Sequence, residues 1–242
     1  FGNPGKEHNQ YVRVDNTPPE SWIETSNPQC SYYDIEKEEY VYCVTTESRI
    51  TLHTQDEYPQ CNVGIDTLHY TISENDIILE EREIPQNEYY FYFDSFGEGC
   101  YNVTYFATDL LGNTEPIRFQ RYCVDNTPPS VSIEIKQPNV TGLYHEPDYW
   151  ITSDSNISVK VMQSGCCPIL STRFRVNKGE WHLLNSTEAT RPNGTQIPSS
   201  FFENEQRYEI EIEASNCYLP PVITRKVVYV DNSPPDISVM NP

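Results

Sequence analysis

The sequence is poor in positive charge. Only 16 Lys and Arg stand against 36 Asp and Glu in 242 residues, a formal net charge of −20. That balance excludes nucleic acid as a partner, because phosphate recognition runs on Lys and Arg. It argues equally against an anionic membrane surface. Long apolar runs are missing too, and nothing approaches the ~20 consecutive residues a membrane-spanning helix needs. Ten glycines and 19 prolines show no collagen period. No two cysteines have the C-x-x-C spacing of a zinc framework, and His8, His53, His69, His145 and His182 are scattered. No Ser/His/Asp or Cys/His setting and no phosphate loop can be read, so no catalysis is expected.

Aromatics make up 12% of the chain, too many for a disordered acidic tail. A folded protein of about two domains follows from the length. Eight cysteines, an even count, point to disulfides and an oxidising compartment.

The strongest signal is repetition. VDNTPP stands at Val14–Pro19 and again at Val124–Pro129, and VDNSPP at Val230–Pro235, with spacings of 110 and 106 residues. The likeness extends outward: Tyr101–Ala107 (YNVTYFA) matches Tyr208–Ala214 (YEIEIEA), and Tyr42–Leu52 matches Tyr149–Val159. The expected organisation is a last strand of a preceding repeat at 1–13, a connector at 14–19, one domain at 20–123, a connector at 124–129, a second domain at 130–229, and a connector with the start of a further repeat at 230–242. The chain is expected to be a piece of a longer array. In the hexamer, Asp and Asn can bond to neighbouring backbone, and the paired prolines withhold N–H groups and hold φ near −65°, so no sheet continues through them.

Within each unit apolar residues alternate. Tyr208, Ile210, Ile212 and Ala214 interleave with Glu209, Glu211 and Glu213, and Leu68, Tyr70 and Ile72 interleave with Thr67, His69 and Thr71. This is the period of half-buried antiparallel strands. Asn177-Lys178-Gly179, Gly97-Glu98-Gly99 and Leu111-Gly112-Asn113 punctuate the runs. About seven short strands per ~100 residues predict an all-β fold of tandem immunoglobulin-like Greek-key β-sandwiches.

Residues 97–129 (GEGCYNVTYFATDLLGNTEPIRFQRYCVDNTPP) resemble the closing half of an immunoglobulin-like repeat common in prokaryotic surface proteins. Residues 60–72 (QCNVGIDTLHYTI) resemble the central strand of archaeal versions. The second unit departs from the Ala-x-Asp-x-x-Gly-Asn signature, with Ala214-Ser215-Asn216-Cys217 in its place. The resemblance implies large, glycosylated, extracellular arrays acting as cell-surface stalks, sheaths, filaments or adhesins, without catalysis. Two other roles stay open. One is a filament subunit whose strand at 8–14 is donated to a neighbouring molecule. The other is a glycan-binding adhesin or accessory module of a secreted enzyme, built on outward-facing rings such as those of Tyr89-Tyr90-Phe91-Tyr92.

Sandwich topology narrows the 105 possible cysteine pairings. Cys217 is expected to bond Cys166 or Cys167, with the other of the pair bonding Cys123. Cys30 and Cys43 are expected to close the insertion between them. Cys61 and Cys100 are then left to each other, or one of them crosslinks to another chain. Glycosylation sequons stand at Asn102, Asn139, Asn156, Asn185 and Asn193. Asp15 and Asn16 of the first connector, with Asp109 and Asn113 of the loop before the last strand, offer hard oxygen donors expected to hold Ca²⁺, a layout that resembles cadherin-like hinges. The alternative is that they cap turns without metal. At the second connector Asp125 and Asn126 would face Ser215 and Asn216, one carboxylate fewer.

Overall fold

A computed structural model describes residues 14–26, 30–56, 63–136, 149–163, 165–216 and 220–233. The expectations placed on 1–13, on Cys61, Asn139 and Cys217, and on 234–242 lie outside the described residues. The chain divides into two compact units, Phe1–Cys123 and Val124–Pro242.

The first unit runs β1 (Glu20–Thr25), β2 (Cys30–Asp34), β3 (Glu39–Val44), β4 (Ile50–Gln55), β5 (Ile65–Glu74), β6 (Ile77–Ile84), β7 (Glu88–Phe91), β8 (Gly99–Asp109) and β9 (Arg118–Val124). They form a three-stranded sheet in the order β1-β4-β7 and a six-stranded sheet in the order β2-β3-β9-β8-β5-β6. The second unit runs β10 (Ser130–Lys136), β11 (Tyr149–Ile151), β12 (Asn156–Met162), β13 (Ile169–Val176), β14 (His182–Leu184), the one-turn α1 (Ser186–Ala189), β15 (Thr195–Ile197), β16 (Arg207–Asn216) and β17 (Val222–Val230). Its sheets are β10-β12-β15 and β11-β17-β16-β13-β14. The hairpins β2-β3, β5-β6, β8-β9, β13-β14 and β16-β17 each lie within one sheet, and β11 runs parallel to β17. The fold is all-β, a two-sheet sandwich in each unit.

The period-2 pattern does what it must. Along β8 the inward residues Tyr101, Val103, Tyr105, Ala107 and Asp109 are buried and their neighbours are not. With Ile50, Leu52, Leu68, Tyr70, Ile72, Phe93 and Tyr122 they fill the first core. The second core gathers Ile157, Val159, Phe174, Phe202, Ile210, Ile212 and Val228. Full burial of such a side chain is worth about 1.5–3 kcal/mol. Both central hairpins turn through consecutive left-handed residues, Asn75-Asp76 after β5 (φ 48 and 64°) and Asn177-Lys178 after β13 (φ 51 and 59°), the geometry that matches the twist of paired strands.

Two devices recur at equivalent places. Tyr101, near the start of β8, donates its hydroxyl to the carbonyls of Phe96 (3.0 Å) and Gly97 (3.3 Å). Tyr208, near the start of β16, donates to Asn204 O (3.0 Å). These are the tyrosine corners of immunoglobulin-type sandwiches. In the hexamers, the Asp carboxylate accepts the N–H two residues on in all three copies: Thr17 to Asp15 (2.9 Å), Thr127 to Asp125 (3.0 Å) and Ser233 to Asp231 (3.0 Å). The Asx turn is the local reason for Asp in that place.

Glu211 departs from the alternation. It belongs to the outward phase of β16, yet its side chain is 1% exposed. Arg175 and Arg225 both donate Nε to its carboxylate. The Trp181 ring lies 4.5 Å from the Arg175 guanidinium and 4.7 Å from that of Arg173, which pairs in turn with Glu213. The charge is covered by cations and a ring, where the sequence reading put it in water.

Candidate functional site

The site is built at the pole of the first unit where the first hexamer meets the ends of two strands. Asp15 lies in the connector, Asp56 follows the last residue of β4, and Asp109 ends β8. Each offers a carboxylate oxygen within 4.8 Å of the others, and all three are buried: 6, 5 and 1% exposed. Two unit charges at that separation repel by about 3–4 kcal/mol at an effective dielectric of ~20. Asp15 and Asp109 form no ion pair with Lys, Arg or His among the described residues.

Backbone amides position the three carboxylates. Asp56 Oδ2 accepts the N–H groups of Val63 and Gly64, both at 3.0 Å. Gly64 sits at φ +90°, where a side chain would be strained. Asp109 Oδ1 accepts from Leu111 N (2.9 Å) and Asn113 N (2.8 Å), and its Oδ2 from Asn113 Nδ2 (2.7 Å). Burial works to raise the Asp109 pKa, but the hydrogen bonds from Asn113, Leu111 and Gly112 outweigh it and hold the carboxyl below its usual range. Asp15 Oδ1 takes the Asx-turn bond, while its Oδ2 is buried with no hydrogen-bond partner.

Of the four sequence-read ligands, the fold brings Asp15 and Asp109 together. Asn16 is exposed. Asn113 turns its amide nitrogen inward, donating to Asp109 and to Asp15 O (3.2 Å), so it braces the carboxylates and is no oxygen donor to them. Asp56 is the residue that sequence reading missed. Its only signal is position, one residue past a buried strand, in a loop that the first hexamer does not reach in sequence.

The cysteines need correction. Cys30, Cys123 and Cys166 are disulfide-bonded, while Cys43 and Cys100 are thiols. Cys30 therefore does not close the insertion with Cys43. Their Cα atoms are partners across β2 and β3, and the five-pair backbone ladder closes that hairpin by itself. Cys43 is fully buried, its sulfur within 4.8 Å of that of Cys123. Nor does Cys100 pair with Cys61. Cys100 is a thiol at the start of β8, and Ile65 pairs with Asp109 and Ser73 with Asn102, so it lies a strand length of roughly 25 Å from Ile65 at the start of β5.

Among the sequons, Asn156, Asn185 and Asn193 are exposed, and Asn102 is half-buried with its Oδ1 buried and unpartnered. Asn185 caps α1 through Oδ1, accepting from Glu188 N (3.2 Å). Tyr90 and Tyr92 are exposed while Phe91 is buried. His53 stacks on Trp22 (5.1 Å) and His69 on Phe106 (4.4 Å). No helix among the described residues is long and apolar enough to cross a membrane.

No protein-family model and no curated relative matches the sequence. Similar folds occur among solved structures. The fibronectin(III)-like modules of Clostridium thermocellum CbhA align at 11% identity and TM-score 0.37, covering 86% of this chain and 94% of that one. The chicken CNTN1 FN1–FN3 domains align at 13% and 0.38, covering 91% and 70%. A tetra-tandem repeat in the extending region of a large adhesion protein aligns at 11% and 0.40, covering 89% and 50%. At those scores the likenesses carry no weight on function, and the sandwich rests on the sheets themselves. By its own strand order and tyrosine corners, the molecule is of the immunoglobulin-like class.

Proposed function

We propose that the chain is a load-bearing segment of an extracellular, glycosylated array, in which successive sandwiches space and stiffen a surface structure or adhesin. The observation that carries this reading is the recurrence of two local devices, the tyrosine corner in both units and the Asx turn in all three hexamers. A corner that ties a loop to a strand and a connector fixed by its own Asx turn are the parts a stack of sandwiches reuses from one unit to the next. Half-cystines at Cys30, Cys123 and Cys166 support an oxidising compartment. The exposed sequons Asn156, Asn185 and Asn193 supply sites for N-linked glycans, and the −20 charge keeps neighbouring arrays apart. Neighbouring repeats of the same protein are the expected partners.

Single-molecule stretching of the full chain under reducing conditions tests the reading. Two unfolding events are expected, each releasing roughly 30–35 nm of contour for ~100 residues. One event for the whole chain would refute it.

One observation favours a filament assembled from copies. Strand β6 ends the six-stranded sheet, and Ile77, Ile78 and Leu79 on it are 66, 60 and 41% exposed. An edge of that length and polarity accepts an added strand, such as residues 8–14 of a neighbouring copy. Deleting residues 1–13 is expected to abolish concentration-dependent assembly in sedimentation; assembly that survives the deletion removes the filament reading.

A further inference from the structure

The two units carry the same three positions at this pole, and backbone register makes the equivalence. The residue after the first hexamer, Glu20, pairs with Gln55, and the residue after the second, Ser130, pairs with Met162. The next residues are Asp56 and Gln163. Ile65 pairs with Asp109 and Ile169 with Asn216, each followed by the same one-residue shift. Asp15 and Asp125 hold the same hexamer position and make the same Asx turn. The first unit therefore reads Asp, Asp, Asp and the second Asp, Gln, Asn.

The substitution changes the fate of one oxygen. In the first unit Asp15 Oδ2 is buried and has no hydrogen-bond partner. In the second unit the corresponding Asp125 Oδ2 accepts Gln163 Nε2 at 2.7 Å and Cys167 N at 3.3 Å. The backbone comes so close that a Cβ on Gly165 would lie 2.1–2.2 Å from the Asp125 carboxylate. A positive amide edge thus stands against Asp125 where the first unit places a second carboxylate. We propose that the first unit binds one divalent cation of the Ca²⁺ class through Asp15, Asp56 and Asp109, and that the second unit is its metal-independent counterpart, with the Gln163 amide in the place of the ion.

The donor set is all oxygen and all carboxylate, the chemistry of a hard cation. Ligands at about 2.4 Å from one Ca²⁺ lie up to roughly 4.8 Å apart. The three oxygens here lie within that span of one another. A cation there ties the connector residue Asp15 to the ends of β4 and β8, so the ion stiffens the entry to the first sandwich.

Calorimetric titration of the EDTA-stripped full chain with CaCl₂ tests this, alongside thermal melts in EDTA and in Ca²⁺. One ion per chain is expected, with a Kd of about 10⁻⁴–10⁻³ M, the range of extracellular modules, and a higher melting temperature in Ca²⁺. Asp56→Gln with Asp109→Asn, which installs the second unit's residues, is expected to weaken binding more than about 30-fold and remove the Ca²⁺-dependent melting shift. No heat and no shift up to about 10 mM Ca²⁺ in the wild-type chain overturns the proposal, whatever the variant does. So does a folded double variant that binds as the wild type does.

Discussion

Asp125 accepts a 2.7 Å hydrogen bond from the side-chain amide of Gln163, and both residues are held within the second unit. The Gln163 Oε1 on the other side of that amide is buried without a partner. The pair therefore carries a cost on one side to neutralise a buried carboxylate on the other. Gln163→Leu is expected to leave Asp125 Oδ2 with the Cys167 N–H alone and to destabilise the unit by about 1–3 kcal/mol. Gln163→Asp is expected to lower stability in EDTA by at least as much, through like-charge repulsion. Urea titrations of both variants in EDTA check the two values.

The tyrosine corners each hold a loop to the strand that follows. Tyr101→Phe and Tyr208→Phe keep the packed ring and remove only the hydroxyl. Each is expected to cost about 1–2 kcal/mol, in its own unit alone. Hydrogen exchange of the backbone around Phe96–Gly97 and around Asn204 reads the loosening locally; unchanged protection at those loops would show the bonds to be dispensable.

Hydrogen bonds from Arg175 and Arg225 outweigh burial at Glu211 and hold its carboxyl below the ordinary range. A carboxylate with a depressed folded-state pKa contributes stability that is complete above its unfolded value, near 4.3. That contribution is lost as pH falls through the folded value. Glu211→Gln is therefore expected to destabilise the second unit by roughly 1–2 kcal/mol at pH 7. The gap to wild type should close below about pH 4. A gap that persists undiminished at pH 2–3 would exclude the ion pair as its source.

Cys100 is the exposed thiol, and the Cys43 thiol is buried. Burial pushes the Cys100 thiol pKa up against the opposing pull of Arg121 and Lys37. In the native protein Cys100 is expected to react with an alkylating reagent before Cys43, slower than a model thiol at pH 7 and faster as pH rises. Cys43 is expected to react only on unfolding. Mass spectrometry of timed samples distinguishes the two.

The repeat, the all-β class and the strand phases were legible because they are local. A period of two needs no partner to be visible, and an Asx-turn hexamer repeats its chemistry wherever it stands. Glu211 shows where locality ends. Its alternation with Tyr208, Ile210 and Ile212 was read correctly, but its burial depends on Arg175 from β13, Arg225 from β17 and Trp181 from a loop. The cysteine pairing failed for the same kind of reason. Cys30 and Cys43 face each other across a hairpin, yet the inward turn of Cys43 is set by the neighbouring β9 and not by the insertion it flanks.

By itself, then, the chain's own order of residues determined repetition, strand period and connector chemistry, all of which act over a few neighbouring positions. Only the tertiary structure decided which carboxylates share a pole. Asp15, Asp56 and Asp109 lie 41 and 53 residues apart in turn. They meet because β4 and β8, on different sheets, end at the same side of the sandwich as the first connector. Electrostatic contact depends on distance in space, and the fold is what turns sequence separation into that distance.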